Sequence, residues 1–105
     1  MSLTVVPMSI AEANEFVKNF HRHNKPTQGG KFAIGATVEQ LFGVAIVGRP
    51  ISATLDNGLT AEVLRVCVLD TAPKNTCSFL YGRCWRIWQQ MGGKRMVTYT
   101  LQTES

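Results

Sequence analysis

The sequence concentrates its chemical potential in five neighbouring residues, Lys74-Asn75-Thr76-Cys77-Ser78. They fall where a strand-like run ends and a helical periodicity begins. The first helical N–H groups and the positive end of the helix dipole therefore converge on them. A pyrophosphate suits such a turn, with Lys74 as a mobile cation; plain capping of the helix by Asn75 or Thr76 is the alternative.

Acid and base candidates flank this turn. His21 and His23 are the only histidines, so an imidazole base or a two-histidine metal site must come from them, the latter with Glu62 or Asp70 as carboxylate ligand. Solvated loop histidines are the plainer reading. Glu62 can take a proton from an amine, directly or through water. Arg65 lies three residues further on, so in a regular strand the two face opposite sides, and only a bulge brings both to one face. Tyr81 and Tyr99 carry phenols that can protonate a leaving thiolate, or else pack with one hydrogen bond.

The elements that must position these groups follow from periodicity. Ser9 and Glu12 have capping-box spacing, and Ala13, Phe16, Val17 and Phe20 then predict a helix over Ile10 to Phe20. The stretch from His21 to Gly30 is a loop, broken by Pro26 and two glycines. Phe32 to Val38 and Leu41 to Val47 read as an antiparallel hairpin, the second strand apolar enough to be buried on both faces. Gly48-Arg49-Pro50 ends it, and Asp56-Asn57-Gly58 supplies a turn. Ala61 to Leu69 is the next strand. A helix from about Thr76 then places Leu80, Cys84, Ile87 and Met91 along one face, with Trp85 and Trp88 as core or interface anchors. Gly92-Gly93 stops it before a last strand from Met96 to Thr100. The segment from Ala61 to Thr100 is thus a β-α-β unit with parallel strands, whose sites lie at the carboxyl end of the first strand.

The 105 residues, 45% of them hydrophobic, fit a single domain over residues 1–105 in the α/β class, with a mixed sheet. No apolar run reaches membrane-spanning length and no basic leader precedes an apolar core, which reads as a cytoplasmic protein. Cys67, Cys77 and Cys84 are too few for a disulfide scaffold and read as small buried apolar residues. On one helix Cys77 and Cys84 would stand about 10 Å apart, beyond disulfide reach. The net charge of +4 suits a nucleic acid, a nucleotide cofactor or an acidic protein, with Arg22, Lys25, Lys31, Arg49 and Arg65 as contacts. A last strand at a sheet edge also invites a homodimer.

The element order is similar to the first two thirds of the acetyltransferase fold of the GNAT superfamily. Asp70, Ala72, Pro73, Asn75, Thr76 and Ser78 further resemble a phage and prophage branch, that of the Mom DNA-modification proteins, as does the loop of His21-Arg22-His23. That resemblance implies acyl-type transfer to an amine, with a nucleobase in DNA as acceptor. It also implies an acetyl-CoA-like donor on Lys74 to Ser78, Glu62 or His21 as base, Tyr81 or Tyr99 as acid, and iron held by His21 and His23. The chain departs from the superfamily in two ways. The turn lacks the glycines of the usual phosphate loop, and the sequence stops where the superfamily continues into a further helix and strands. These departures support the alternative of a non-catalytic inhibitor on the same scaffold, one that blocks a host defence protein in the manner of an anti-CRISPR or anti-restriction factor.

Overall fold

The computed structural model describes residues 3–20, 30–50 and 58–98. Five strands and two helices follow in the order β1 (Thr4–Met8), α1 (Ile10–Phe20), β2 (Phe32–Val38), β3 (Gln40–Gly48), β4 (Thr60–Val68), α2 (Thr76–Gln90) and β5 (Arg95–Thr98). The strands form one sheet in sequence order, antiparallel from β1 to β4 and parallel between β4 and β5. The expected α/β class, hairpin and β-α-β unit are all present.

Helix α1 starts as its capping box predicts. The Ser9 N–H donates to Glu12 Oε1 at 2.9 Å, and the Glu12 N–H donates to Ser9 Oγ at 3.0 Å. Those bonds hold the Glu12 carboxyl below its ordinary value. Ala13, Phe16 and Val17 are buried, and with Ala33, Val44, Ile46 and Cys67 they form the core on one face of the sheet. Phe20 departs from the expected stripe: it is 55% exposed, its ring 4.8 Å from that of Phe16.

On the other face α2 packs against Ile34, Ala36, Ala45, Val47, Ala61 and Val63. Its buried line is Thr76, Leu80, Cys84 and Trp88, a strict i, i+4 series. Of the expected stripe, Leu80 and Cys84 are buried and Ile87 is partly buried against the same core, whereas Met91 is corrected. Trp88 takes the core position because its indole N–H finds the Arg95 carbonyl at 2.8 Å, whereas Met91 follows the helix and is 55% exposed. The helix stops at Gly92, whose φ of 98° suits glycine. Gly93 then crosses so close to Trp88 that a Cβ there would lie 2.1 Å from the indole.

Strand β1 has no counterpart in the sequence-based expectation. It is five residues long and contains Pro7, which is tolerated because β1 is an edge strand. The last strand begins at Arg95 and is described to Thr98; Thr100 lies outside the described residues. Cys67 and Cys84 are buried free thiols as expected, but Cys77 is exposed, since the first turn of α2 faces away from the core there. No described helix is long and apolar enough to cross a membrane.

Candidate active site

The site is built around one irregularity. Strand β4 pairs with β3 as Ile46 to Arg65 and Val47 to Val63, so Leu64 is an extra, bulged residue. Leu64 lies over Gly48, where a Cβ would come within 2.6 Å of Leu64 Cδ1. Because the bulge resets the alternation, Glu62 and Arg65 share the face carried by Gly48 and Ile46, the α1 side. Val63 and Val66 remain on the α2 side. The bulge that would bring Glu62 and Arg65 together is thus present.

The bulge follows directly on the last described pair of the parallel strands. Among the described residues, which end at Thr98, β5 pairs with β4 from Thr60 to Val63. Glu62, 2% exposed, lies one residue before the end of that described ladder on the α1 side. Arg65 is part-buried and its Nη1 donates to the Leu64 carbonyl at 2.7 Å, bracing the bulge. On the α2 side Tyr81 lines a groove of about 400 Å3 together with Val63 and Thr98, the last described pair of the β4/β5 ladder, and with Trp85 and Met96. A carboxylate and a phenol therefore flank the described end of the β4/β5 ladder from opposite faces of the sheet.

Beyond the carboxyl end of β4 the chain turns over Leu69 to Asn75 into α2, with the Ala72 N–H donating to the Leu69 carbonyl at 3.0 Å. Thr76 donates both its N–H and its hydroxyl to the Pro73 carbonyl, at 3.1 and 2.7 Å. Asn75 is the N-cap, but its side chain makes no capping bond. Side-chain capping of this helix is therefore not what the structure shows. The N–H groups of Cys77 and Ser78 keep no hydrogen-bond acceptor among the described residues, and the positive end of the 15-residue α2 lies at the carboxyl end of β4. The turn offers an anion-binding cradle without the glycines of a common phosphate loop.

Other candidates separate from this arrangement. His21, Arg22, His23, Lys25 and Tyr99 lie outside the described residues. Asp70 lies two residues past the end of β4 while Glu62 is its third residue, about 25 Å apart at strand spacing, so the two carboxylates do not share a ligand sphere. Among the described residues no three His, Cys, Asp or Glu side chains gather as a metal site, and the ligand set that iron would need is not assembled by them. Lys31 places its ammonium 5.3 Å from the Trp88 ring centroid, at the end of the sheet opposite the α2 N-terminus. Arg49 is exposed at that same far end. Burial pushes the Cys84 thiol up to about 12, and burial, then the neighbouring Cys77, push that of Cys67 up to about 11. Neither is a thiolate nucleophile near neutral pH.

Trp85 and Met96, which wall the groove beside Tyr81, were legible only as core residues. The signal was present in the i, i+4 spacing of Tyr81 and Trp85, but their common surface appears only once β5 is placed.

No protein-family model and no curated protein matches the sequence. Solved structures do. A ribosomal-protein-alanine N-acetyltransferase from Brucella melitensis biovar Abortus 2308 superposes with a TM-score of 0.69 at 15% identity, covering 96% of this chain and 82% of that one. An aminoglycoside N-acetyltransferase, AAC(6')-Iy, solved with CoA, gives 0.73 at 11% identity, covering 97% and 79%. An integron cassette protein from the V. cholerae mobile metagenome gives 0.66 at 14%, covering 98% and 78%. With the five-stranded mixed sheet, the bulge in β4 and the parallel β4-α2-β5 unit already in view, this chain has the GNAT-like acetyltransferase fold.

Proposed function

We propose that this protein transfers an acyl group from a coenzyme A-type thioester to an amine. The observation that carries the reading is the bulge at Leu64 beside the parallel β4/β5 pair, with Glu62 on one face and Tyr81 on the other. A donor entering from the α2 N-terminus rests its diphosphate on the Cys77 and Ser78 N–H groups, with Lys74 as counter-ion. From Leu69 down to Leu64 the strand spans about 17 Å, comparable to an extended pantetheine arm. The thioester then reaches the bulge at Leu64. Glu62 takes a proton from the attacking amine, the C–N bond forms, the C–S bond breaks, and Tyr81 supplies a proton to the departing sulfur. Holding donor and acceptor in one site supplies much of the acceleration.

The acceptor we favour is a nucleobase amine in DNA. It is supported by the resemblance of Asp70, Ala72, Pro73, Asn75, Thr76 and Ser78 to the phage Mom branch, and by the net charge of +4, which attracts a polyanion and repels a polycationic acceptor such as an aminoglycoside. The glycine-free turn favours a second reading, in which the scaffold binds a host defence protein and performs no chemistry.

Thermal unfolding with acetyl-CoA separates the two. At a hundredfold excess over Kd, binding stabilises the fold by about 2.7 kcal/mol, a rise on the order of 10 °C for a domain of this size. Absence of any shift at millimolar acetyl-CoA refutes the transferase reading. Mass spectrometry of DNA incubated with protein and donor then reports on the acceptor.

A further inference from the structure

We propose that the outer face of α2 docks against double-stranded DNA. Opposite the buried line of Thr76, Leu80, Cys84 and Trp88, the helix exposes Gly82, Arg86, Gln89 and Gln90, with half-buried Arg83 at the margin. No acidic residue offsets its charge: from Thr71 to Thr98 the chain carries Lys74, Arg83, Arg86, Lys94 and Arg95 and no carboxylate. Helix α1, on the other side of the sheet, carries Glu12, Glu15 and Lys18. Charge is therefore polarised across the sheet, with the cationic side on α2.

Two features of this face go beyond its sign. The Arg83 guanidinium is stacked over the Phe79 ring, 5.1 Å from its centroid, which orients the group while its N–H donors stay available. Arg86 is exposed, and no carboxylate among the described residues pairs with it. The other feature is Gly82. It is exposed within the helix, and an added Cβ would meet no atom within 4 Å. Neither packing nor backbone conformation calls for glycine here, and glycine destabilises a helix interior relative to alanine. A missing side chain in the middle of the face lets a partner approach the helix backbone closely, one turn from Arg86.

The chemistry of the face selects the occupant. A protein partner needs an apolar anchor at the centre of its contact. Of the exposed large apolar residues, Phe20 and Leu59 belong to other parts of the chain and Met91 to the cap beyond α2. A single strand needs open aromatic rings for its bases, and Phe79 is covered by Arg83. A duplex needs neither: arginine and polar donors meet its phosphates, and arginine and glutamine pair with purine edges. The major groove of B-form DNA, about 12 Å wide, admits an α-helix, whereas that of A-form RNA is too deep and narrow. The inference does not rest on the acyl-transfer reading. Glu62 lies on the α1 side, and the docking face uses neither Tyr81 nor the turn that receives the donor diphosphate.

The test uses the full chain, without acyl donor, and a fluorescein-labelled DNA duplex of about two helical turns. Anisotropy should give saturable binding whose logarithm falls linearly with that of the salt concentration. Arg83→Gln with Arg86→Gln should lower the slope by about 2 and the low-salt affinity at least tenfold, with the circular dichroism spectrum retained. Gly82→Gln should raise the melting temperature yet weaken binding at least fivefold, a pair of effects that misfolding does not produce. DNA-induced shifts in 1H–15N spectra should fall on Gly82, Arg86 and Gln89, and saturating acetyl-CoA should leave binding unchanged. Parental affinity in both variants overturns the proposal. So does equal or tighter binding of single-stranded DNA, duplex RNA or polyglutamate, displacement of the duplex by acetyl-CoA, or no binding at low salt.

Discussion

Replacing Gly93 by alanine should expel the anchor that holds β5 against α2. A Cβ at this position would lie 2.1 Å from Trp88 Nε1 and Cε2 and 2.4 Å from Cδ1, whereas ordinary contact begins at 3.4 Å. Trp88 cannot yield by a small adjustment, because it is 4% exposed in the core. Its indole is also held by the bond to the Arg95 carbonyl and sits under Lys31 Nζ. Losing that bond costs about 1 kcal/mol, and loosening the cation–π contact costs about 0.5–1 kcal/mol more. Partial exposure of a tryptophan whose full deletion costs about 3–5 kcal/mol adds the remainder. We expect about 3 kcal/mol in all, or a melting temperature lower by roughly 12–18 °C. The control is Gly82→Ala, in the middle of α2 with no atom within 4 Å of an added Cβ. It should gain about 0.8–1 kcal/mol from helix propensity alone. Thermal and urea unfolding followed by circular dichroism measure both. Should Gly93→Ala melt within a degree or two of the parent with unchanged tryptophan fluorescence, the packing argument is wrong.

Three further outcomes are expected. In the native state iodoacetamide should alkylate Cys77 alone near neutral pH, with Cys67 and Cys84 reacting only on unfolding; intact mass after timed quenching counts the adducts. Both buried thiols have raised pKa values, so their contribution to stability is complete below the unfolded value near 9 and is lost as pH climbs towards about 11 for Cys67 and 12 for Cys84. The alkaline decline in melting temperature should therefore flatten in the Cys67→Ala, Cys84→Ala double variant. For the transferase reading, Glu62→Gln and Tyr81→Phe should each lower acyl transfer by about 10²–10⁴-fold while acetyl-CoA still raises the melting temperature, and unchanged turnover in both would remove these residues from the mechanism.

Much of this architecture was legible in local pattern. The Ser9/Glu12 capping box, the apolar run of β3 and the Gly92 stop are each specified within a few residues, and each appears where expected. The features that escaped depend on partners distant in sequence. Strand β1 is short and carries Pro7, so nothing local marks it; it exists because β2 presents an edge to pair with. Helical spacing alone allowed either Met91 or Trp88 to close the α2 stripe, and the Arg95 carbonyl, seven residues beyond Trp88, decided between them. The bulge at Leu64 was conceivable but not readable, since it reflects the registers of β3 on either side of the Ile46/Val47 step. Cys77 followed the same logic: its position on α2 was clear, but which side of the first turn faced solvent was not.

The bulge has a consequence for how this fold can change. If Leu64 were deleted, Val63 would be followed directly by Arg65, and simple alternation would leave Glu62, Arg65 and Cys67 on one face and Ala61, Val63 and Val66 on the other, as they are now. Leu64 is therefore a spacer inserted between two halves of a strand that already agree with each other about inside and outside. The hydrophobic core does not require it, beyond its contact over Gly48. What the extra residue changes is the backbone: it adds one peptide unit between Glu62 and Arg65, whose carbonyl Arg65 Nη1 braces. The inside–outside pattern of β4 and its bulge are thus specified by separable residues of the same strand.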